Sequence, residues 1–288
     1  MDGLLVLALV LAGVPGAIGL ANLLLVTAPQ GRVPDKALVS ILIRARNAES
    51  DIEACIAHAL GQIGVAVEVI VLDDGSRDHT GELLATMLRR DGRFHRLACS
   101  PTPGGWTREA HAWAQLAAAA WGTHCLFVDA SVRLDPHAAA ALAGQSARRD
   151  AGLVSGIPRH HLRSLGAGLA VPLRGLLTAA VLPGGGCAAS RLPGLATACG
   201  ELTLVRHADY DQIGGHACVS GAAQPMPALA RAMRRDGIRT DMVDAAGLAG
   251  RRGRCGLREA WAGMTKMPAG PAALLSGMQI LPFALLPA

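Results

Sequence analysis

Asp73 and Asp74 close the apolar run VEVIVLDD (67–74), and Asp129 sits near the end of a second run, THCLFVDA (123–130). A carboxylate at such a place can cap the helix that follows, or it can face a ligand or a cation. Two adjacent aspartates at one strand end repel each other, so a ligand or cation that relieves the repulsion is the favoured reading for Asp73 and Asp74. Asp78 and Asp135 are read as plain helix caps, Asp135 with Pro136 in the first turn of the next helix.

The elements that must hold these groups follow from periodicity. ALVSILIR (37–44) reads as a buried strand, Ala48 to Gln62 repeats apolar residues at helical spacing, and the two aspartate-closed runs are further strands, each followed by a helix. Strands alternating with helices predict an α/β fold with a parallel sheet, and such sheets place ligands at the carboxyl ends of their strands. Beyond Gly152 the pattern loosens. GELTLVRHADYDQIGGH (200–216) predicts a short strand, a helical turn and a Gly-Gly stop, and MPALARAMRRDGIRTDMV (226–243) a basic amphipathic helix ended by Gly237 and then a strand.

The 288 residues are 51% hydrophobic and 17% charged, with a mean hydropathy of +0.34. That is apolar for a water-borne enzyme and polar for a many-span transporter. The apolar residues gather at the ends. Gly3 to Val26 carries no charge and is long enough to cross a bilayer, so residues 1–30 are expected to form a transmembrane anchor. Arg32, Lys36, Arg44 and Arg46 follow it, which by the positive-inside bias predicts a cell-membrane protein with its globular domain in the cytoplasm. Residues 165–183 read as an interfacial segment and 267–288 as a C-terminal membrane segment, either re-entrant or an unfinished span.

Seven cysteines, odd in number and never spaced C-x-x-C, predict neither a disulfide framework nor a zinc site. Arg251, Arg252 and Arg254 suit an anionic membrane surface. No aromatics interleave them, so no nucleic-acid partner is expected.

Taken in order, VSILIRARNAESDIEACIAHALGQ, EVIVLDDGSRDHT, LFVDASVRLDP, ACGELTLVRHADYDQIGGH and LREAWAGMTK resemble the family 2 glycosyltransferases, which have a GT-A fold. The match is to the membrane-anchored branch that includes hopanoid-associated and carotenoid glycosyltransferases. The resemblance implies a GT-A transferase domain over residues 37–266. It implies inverting transfer of a sugar from a nucleotide-diphosphate donor to a lipid-like acceptor at a membrane. Arg46, Asn47, Asp73 and Asp74 would hold the base and ribose. Asp129 would hold ribose and a divalent cation, magnesium or manganese, which neutralises the leaving diphosphate. A further carboxylate would take the acceptor proton.

Three positions depart from the family pattern. The second aspartate of the Asp-x-Asp motif is Ser131, which weakens the expected metal site. A Gly-Lys pair is replaced by Arg108-Glu109, and the Glu-Asp that carries the base aligns with Pro225-Met226, neither of which accepts a proton. No carboxylate lies between Gly214 and Arg235. Three readings therefore stand side by side: a transferase with a relocated base, Glu201 or Asp241; a catalytically impaired relative that binds nucleotide or a partner; and an unrelated α/β binding protein.

Overall fold

The computed structural model describes residues 26–87, 91–160 and 193–251. The chain divides into two units, and the described residues from Thr27 onward all fall in one of them, Thr27–His161 with Arg191–Arg252. The segments 3–25, 165–183 and 267–288 lie outside the described residues. So does the LREAWAGMTK helix.

A sheet of seven strands runs through this unit. Its strands are β1 (Leu38–Ala45), β2 (Ala66–Asp73), β3 (Phe94–Leu97), β4 (His124–Asp129), β6 (Leu153–Ile157), β8 (Leu202–Arg206) and β9 (Thr240–Asp244), in the order β3-β2-β1-β4-β8-β6-β9. The pairs β2–β3, β1–β2, β1–β4 and β6–β9 are parallel, whereas β8 runs antiparallel to both its neighbours. The expected parallel sheet is thus mostly parallel, with one reversed strand inside it. A second, three-stranded sheet, β5 (Val132–Leu134), β10 (Ala249–Arg251) and β7 (Arg159–His160), pairs β10 antiparallel to β5 and parallel to β7.

The central strands are apolar on both faces because both are covered. Successive side chains alternate between faces. Val39, Ile41 and Ile43 of β1, Val69 and Val71 of β2, and Leu126 and Val128 of β4 join one core. That core includes Ile52, Cys55 and Ile56 of α1 (Ile52–Leu60), Leu84 of α2 (Thr80–Met87), and Leu142 and Ala143 of α4 (Ala138–Arg149). Leu42, Ile70, Leu72, Cys125 and Phe127 join the other. There they meet Trp113 and Leu116 of α3 (Arg108–Ala118), Tyr210 of α5 (His207–Gln212), and Met226, Leu229 and Met233 of α6 (Pro225–Arg235).

Helix ends differ from the periodicity in explicable ways. Residues 48–51 form a turn in which the amides of Asp51 and Ile52 donate to the carbonyl of Ala48, so α1 opens at Ile52. Asp78 accepts from the Thr80 amide and hydroxyl, one residue ahead of the cap position, because α2 opens at Thr80 rather than at Asp78. Asp135 accepts from the His137 amide instead, while the Pro136 carbonyl is drawn to the amide of Ile63, so Pro136 precedes α4 rather than sitting in its first turn.

Among the described residues no helix is long and apolar enough to cross a membrane. The longest, α4, has 12 residues, or about 18 Å at 1.5 Å per residue, against a hydrocarbon layer of about 30 Å. The expected cell-membrane location with a cytoplasmic domain is corrected on this finding.

Candidate active site

The parallel pairing of β2, β1 and β4 brings the strand-end carboxylates to one edge. Ala45 pairs with Asp73, and Arg44 pairs with both Leu72 and Asp129. Asp73, Asp74 and Asp129 therefore stand at the carboxyl ends of β2 and β4, the two neighbours of β1, where an open α/β sheet binds its ligands.

The turn after β2 is tied to the turn after β1. Asp73 Oδ1 accepts the Ser76 amide at 2.9 Å, and Gly75 turns the chain at φ +71°. Asn47 adopts a left-handed φ of +49°, a conformation asparagine tolerates better than most residues. Its amide donates to Ser76 Oγ at 3.0 Å and its side-chain oxygen accepts the Arg77 amide at 2.9 Å. The amide of Ala48 donates to Thr80 Oγ1 at 2.9 Å. Arg46 and Asn47 are exposed beside this lattice. The Thr80 hydroxyl above all, helped by the Glu49 and Thr80 amides, holds the Asp78 carboxyl below its ordinary range.

Asp74 is not poised for solvent. It is 2% exposed and accepts from Arg44 Nη1 at 3.2 Å, and Arg108 Nε approaches it to 4.0 Å. Arg44 in turn lies 5.7 Å from the centroid of the Trp113 ring and 3.9 Å from Glu109. The charge of Asp74 is thus met from within the chain, by arginine. Arg108-Glu109, which departs from the family pattern, flanks the same ion pair.

Asp129 opens the tightest cluster. Its Oδ1 accepts from the Ser131 amide at 2.9 Å and the Ser131 hydroxyl at 2.5 Å. Its amide donates to the carbonyl of Glu201, which stands opposite it on the edge of the reversed strand β8. Directly opposed residues of an antiparallel pair put their side chains on the same face. Arg251 closes the group: its Nε donates to Ser131 Oγ at 3.1 Å and its Nη1 pairs with Glu201 Oε1. The small sheet makes this possible, because β5 begins right after Ser131 and β10 places Arg251 opposite Val132. Beneath the turn, burial pushes the Cys55 thiol up to about 12, so it stays protonated and is no nucleophile.

The two relocated-base candidates separate cleanly. Asp241 is the second residue of β9, paired in register with Val154, and its carboxylate is buried against Gln145 Nε2 at 2.7 Å, several residues back from the carboxyl edge. Glu201 is at the edge beside Asp129. Pro225 and Met226, which the resemblance was expected to set at the family's base, start α6; both are buried, Met226 at 1% exposure in the apolar cluster of Trp113 and Phe127.

Sequence reasoning passed over Arg44, Trp113 and the role of Arg251. Arg44 had a signal, a lone charge ending an otherwise apolar strand. Arg251 had none, because its partners come from two other elements far away in sequence. Two hollows, about 490 and 390 Å³, lie at the amino edge around Arg32–Ala37 and around Thr123 and His207, away from these carboxylates.

A divalent cation fits this site poorly. Such ions take several oxygen ligands, usually with more than one carboxylate. Here Ser131 offers a neutral hydroxyl already bonded to Asp129 and to a guanidinium. No group of three or more His, Cys, Asp or Glu able to hold an ion occurs among the described residues.

Residues 40–214 match the family model of Glycosyl transferase family 2, which covers more than half of the chain. The chain belongs to this family. An uncharacterized protein of Mycobacterium tuberculosis is 41% identical over 63 residues, 22% of this chain; the match spans 20% of that relative's length. Among solved structures, a mannosyltransferase of Pyrobaculum calidifontis in complex with GDP-Man and Mn2+ superposes with a TM-score of 0.65. It is 16% identical over 96% of this chain and 80% of its own. TarS of S. aureus gives a TM-score of 0.51 at 14% identity, over 74% of this chain and 36% of TarS. These likenesses establish the GT-A type α/β fold.

Proposed function

We propose that residues 37–266 form a transferase domain that moves a sugar, with inversion, from a nucleoside-diphosphate donor bound at the carboxyl edge of the large sheet to the hydroxyl of a lipid-like acceptor. The observation that carries this is the convergence of Asp73, Asp74 and Asp129 on one edge of β2, β1 and β4. The similar mannosyltransferase of Pyrobaculum calidifontis is a complex with GDP-Man, which makes a sugar nucleotide the natural donor to try. The lipid-like acceptor rests on the resemblance to the hopanoid and carotenoid branch.

In this reading Arg46, Asn47 and Asp73 meet the base and ribose, Asp74 keeps Arg44 in place, and Asp129 faces the sugar side of the donor. Glu201 is the carboxylate beside Asp129 able to take the acceptor proton as the hydroxyl attacks the anomeric carbon. The bond from that carbon to the diphosphate oxygen then breaks, and the nucleoside diphosphate leaves. In this reading the proton goes to a carboxylate that is also held in an ion pair with Arg251.

A second reading, a nucleotide-binding relative without transfer, is favoured by the burial of Met226 where the family's base aligns. One experiment separates them. The purified full chain is given GDP-mannose or UDP-GlcNAc with a polyprenyl-phosphate or sterol acceptor, and both donor binding and nucleoside-diphosphate release are measured. Release that Asp129→Asn abolishes supports the transferase; binding without release supports the second reading; absence of both removes both.

A further inference from the structure

We infer that Arg251 takes the place of the divalent cation, so that the diphosphate of a nucleotide donor is neutralised by a guanidinium of this chain and its binding requires no metal. The inference rests on the donor-site reading above.

Three observations converge on it. The turn 129–131 has lost a carboxylate at Ser131, and a neutral hydroxyl attracts a divalent ion far less than a second aspartate. Into that turn the structure brings a permanent positive charge, with Arg251 Nε 3.1 Å from Ser131 Oγ. A metal ion bound to Asp129 would have to sit beside this guanidinium and be repelled by it. Third, the arginine is built in: β10 pairs with β5 immediately after the turn, Arg251 opposite Val132, and Glu201 anchors the side chain from β8.

The charges agree with an exchange of one device for the other. With the base carboxylate counted on both sides, three carboxylates and a divalent cation sum to -1, and so do Asp129, Glu201 and Arg251. A guanidinium also keeps its positive charge at any working pH, as a bound metal ion does. Glu201 is a positioning residue in this respect, holding the guanidinium at the turn.

The test uses the full-length protein with GDP and UDP as probes, titrated calorimetrically in excess EDTA and again in excess Mn2+. The expected result is a Kd in EDTA within about threefold of that in Mn2+. Arg251→Ala should raise it by about tenfold or more, the loss of one charge-assisted contact, and Arg251→Lys by an intermediate factor. Ser131→Asp combined with Arg251→Ala should restore binding in Mn2+ but not in EDTA. Circular dichroism checks that the variants fold, and the chelation comparison on the unaltered protein stands even if they do not. Binding that falls more than about tenfold in EDTA overturns the inference while leaving the donor site intact. No binding of either nucleotide in any condition overturns the donor site and this inference with it.

Discussion

The carboxylate of Asp74 and the guanidinium of Arg44 are 3.2 Å apart, Asp74 being 2% exposed and Arg44 packed over Trp113. Arg44 is the penultimate residue of β1 and Asp74 follows β2, so the ion pair ties two adjacent strands at the edge where the candidate site lies. A pair so placed fixes the shape of the edge, and it divides the labour between two neighbouring aspartates.

Asp74→Ala should therefore act mainly on stability. Removing one partner of a buried pair typically costs about 3–5 kcal/mol. Arg44 keeps a fifth of its side chain in solvent, so about 2–3 kcal/mol is expected here, read as a lower urea midpoint. Asp73→Ala loses one turn hydrogen bond, about 1 kcal/mol, yet should weaken nucleotide binding more than Asp74→Ala does. Equal effects of the two substitutions on both measurements would contradict this division.

Met226 offers a sharper contrast. Restoring an acidic residue where the family's base aligns, Met226→Asp, puts a carboxylate among Trp113, Phe127 and Leu229. Without a partner there, it should destabilise by about 4 kcal/mol or more, a large share of the stability of a domain. No gain of transfer activity is expected. A stable, faster Met226→Asp protein would show that the helix start can open toward the acceptor.

His216 predicts a pH dependence. It is fully buried against Phe127, with Nδ1 2.8 Å from the Tyr210 hydroxyl and Nε2 without a partner among the described residues. Burial lowers its pKa to about 3, from an ordinary value near 6.5. Above about 6.5 both folded and unfolded chains hold it neutral, so it costs nothing. Between about 6.5 and 3 the unfolded chain binds a proton that the folded chain refuses, so stability falls with falling pH, by on the order of 4 kcal/mol in full. Denaturant midpoints from pH 7.5 to 4.5 should decline for the natural chain. In His216→Phe the decline should be shallower by one proton's slope; an unchanged slope would remove His216 as its source.

Much of this fold was legible because the strands are buried on both faces. Ahead of their charged ends the runs VEVIVLDD and ALVSILIR are apolar but for Glu68 and Ser40, and the structure places β2 and β1 within a residue of them. The short strands β3, β5 and β10 were not legible. They have four, three and three residues and take their identity from neighbours rather than from pattern. The reversal of β8 is likewise a matter of partners, since LTLVR reads the same in either direction. At the site, Asp73, Asp74 and Asp129 stood out as charges ending greasy runs. The meaning of Arg251 depended on a pairing with β5 across more than a hundred residues of sequence, which periodicity cannot express.

Glu201 decides whether the edge performs chemistry. It faces Asp129 across the β4–β8 pair and is held by Arg251. Glutamine at this position keeps an oxygen that accepts from Arg251 but cannot take a proton, so Glu201→Gln separates the two roles of the side chain. As the base, its loss should lower nucleoside-diphosphate release by about 10²- to 10⁴-fold, while GDP affinity changes by less than about threefold. If release survives the substitution and only affinity suffers, Glu201 serves to position Arg251 alone, and the acceptor proton leaves by another route.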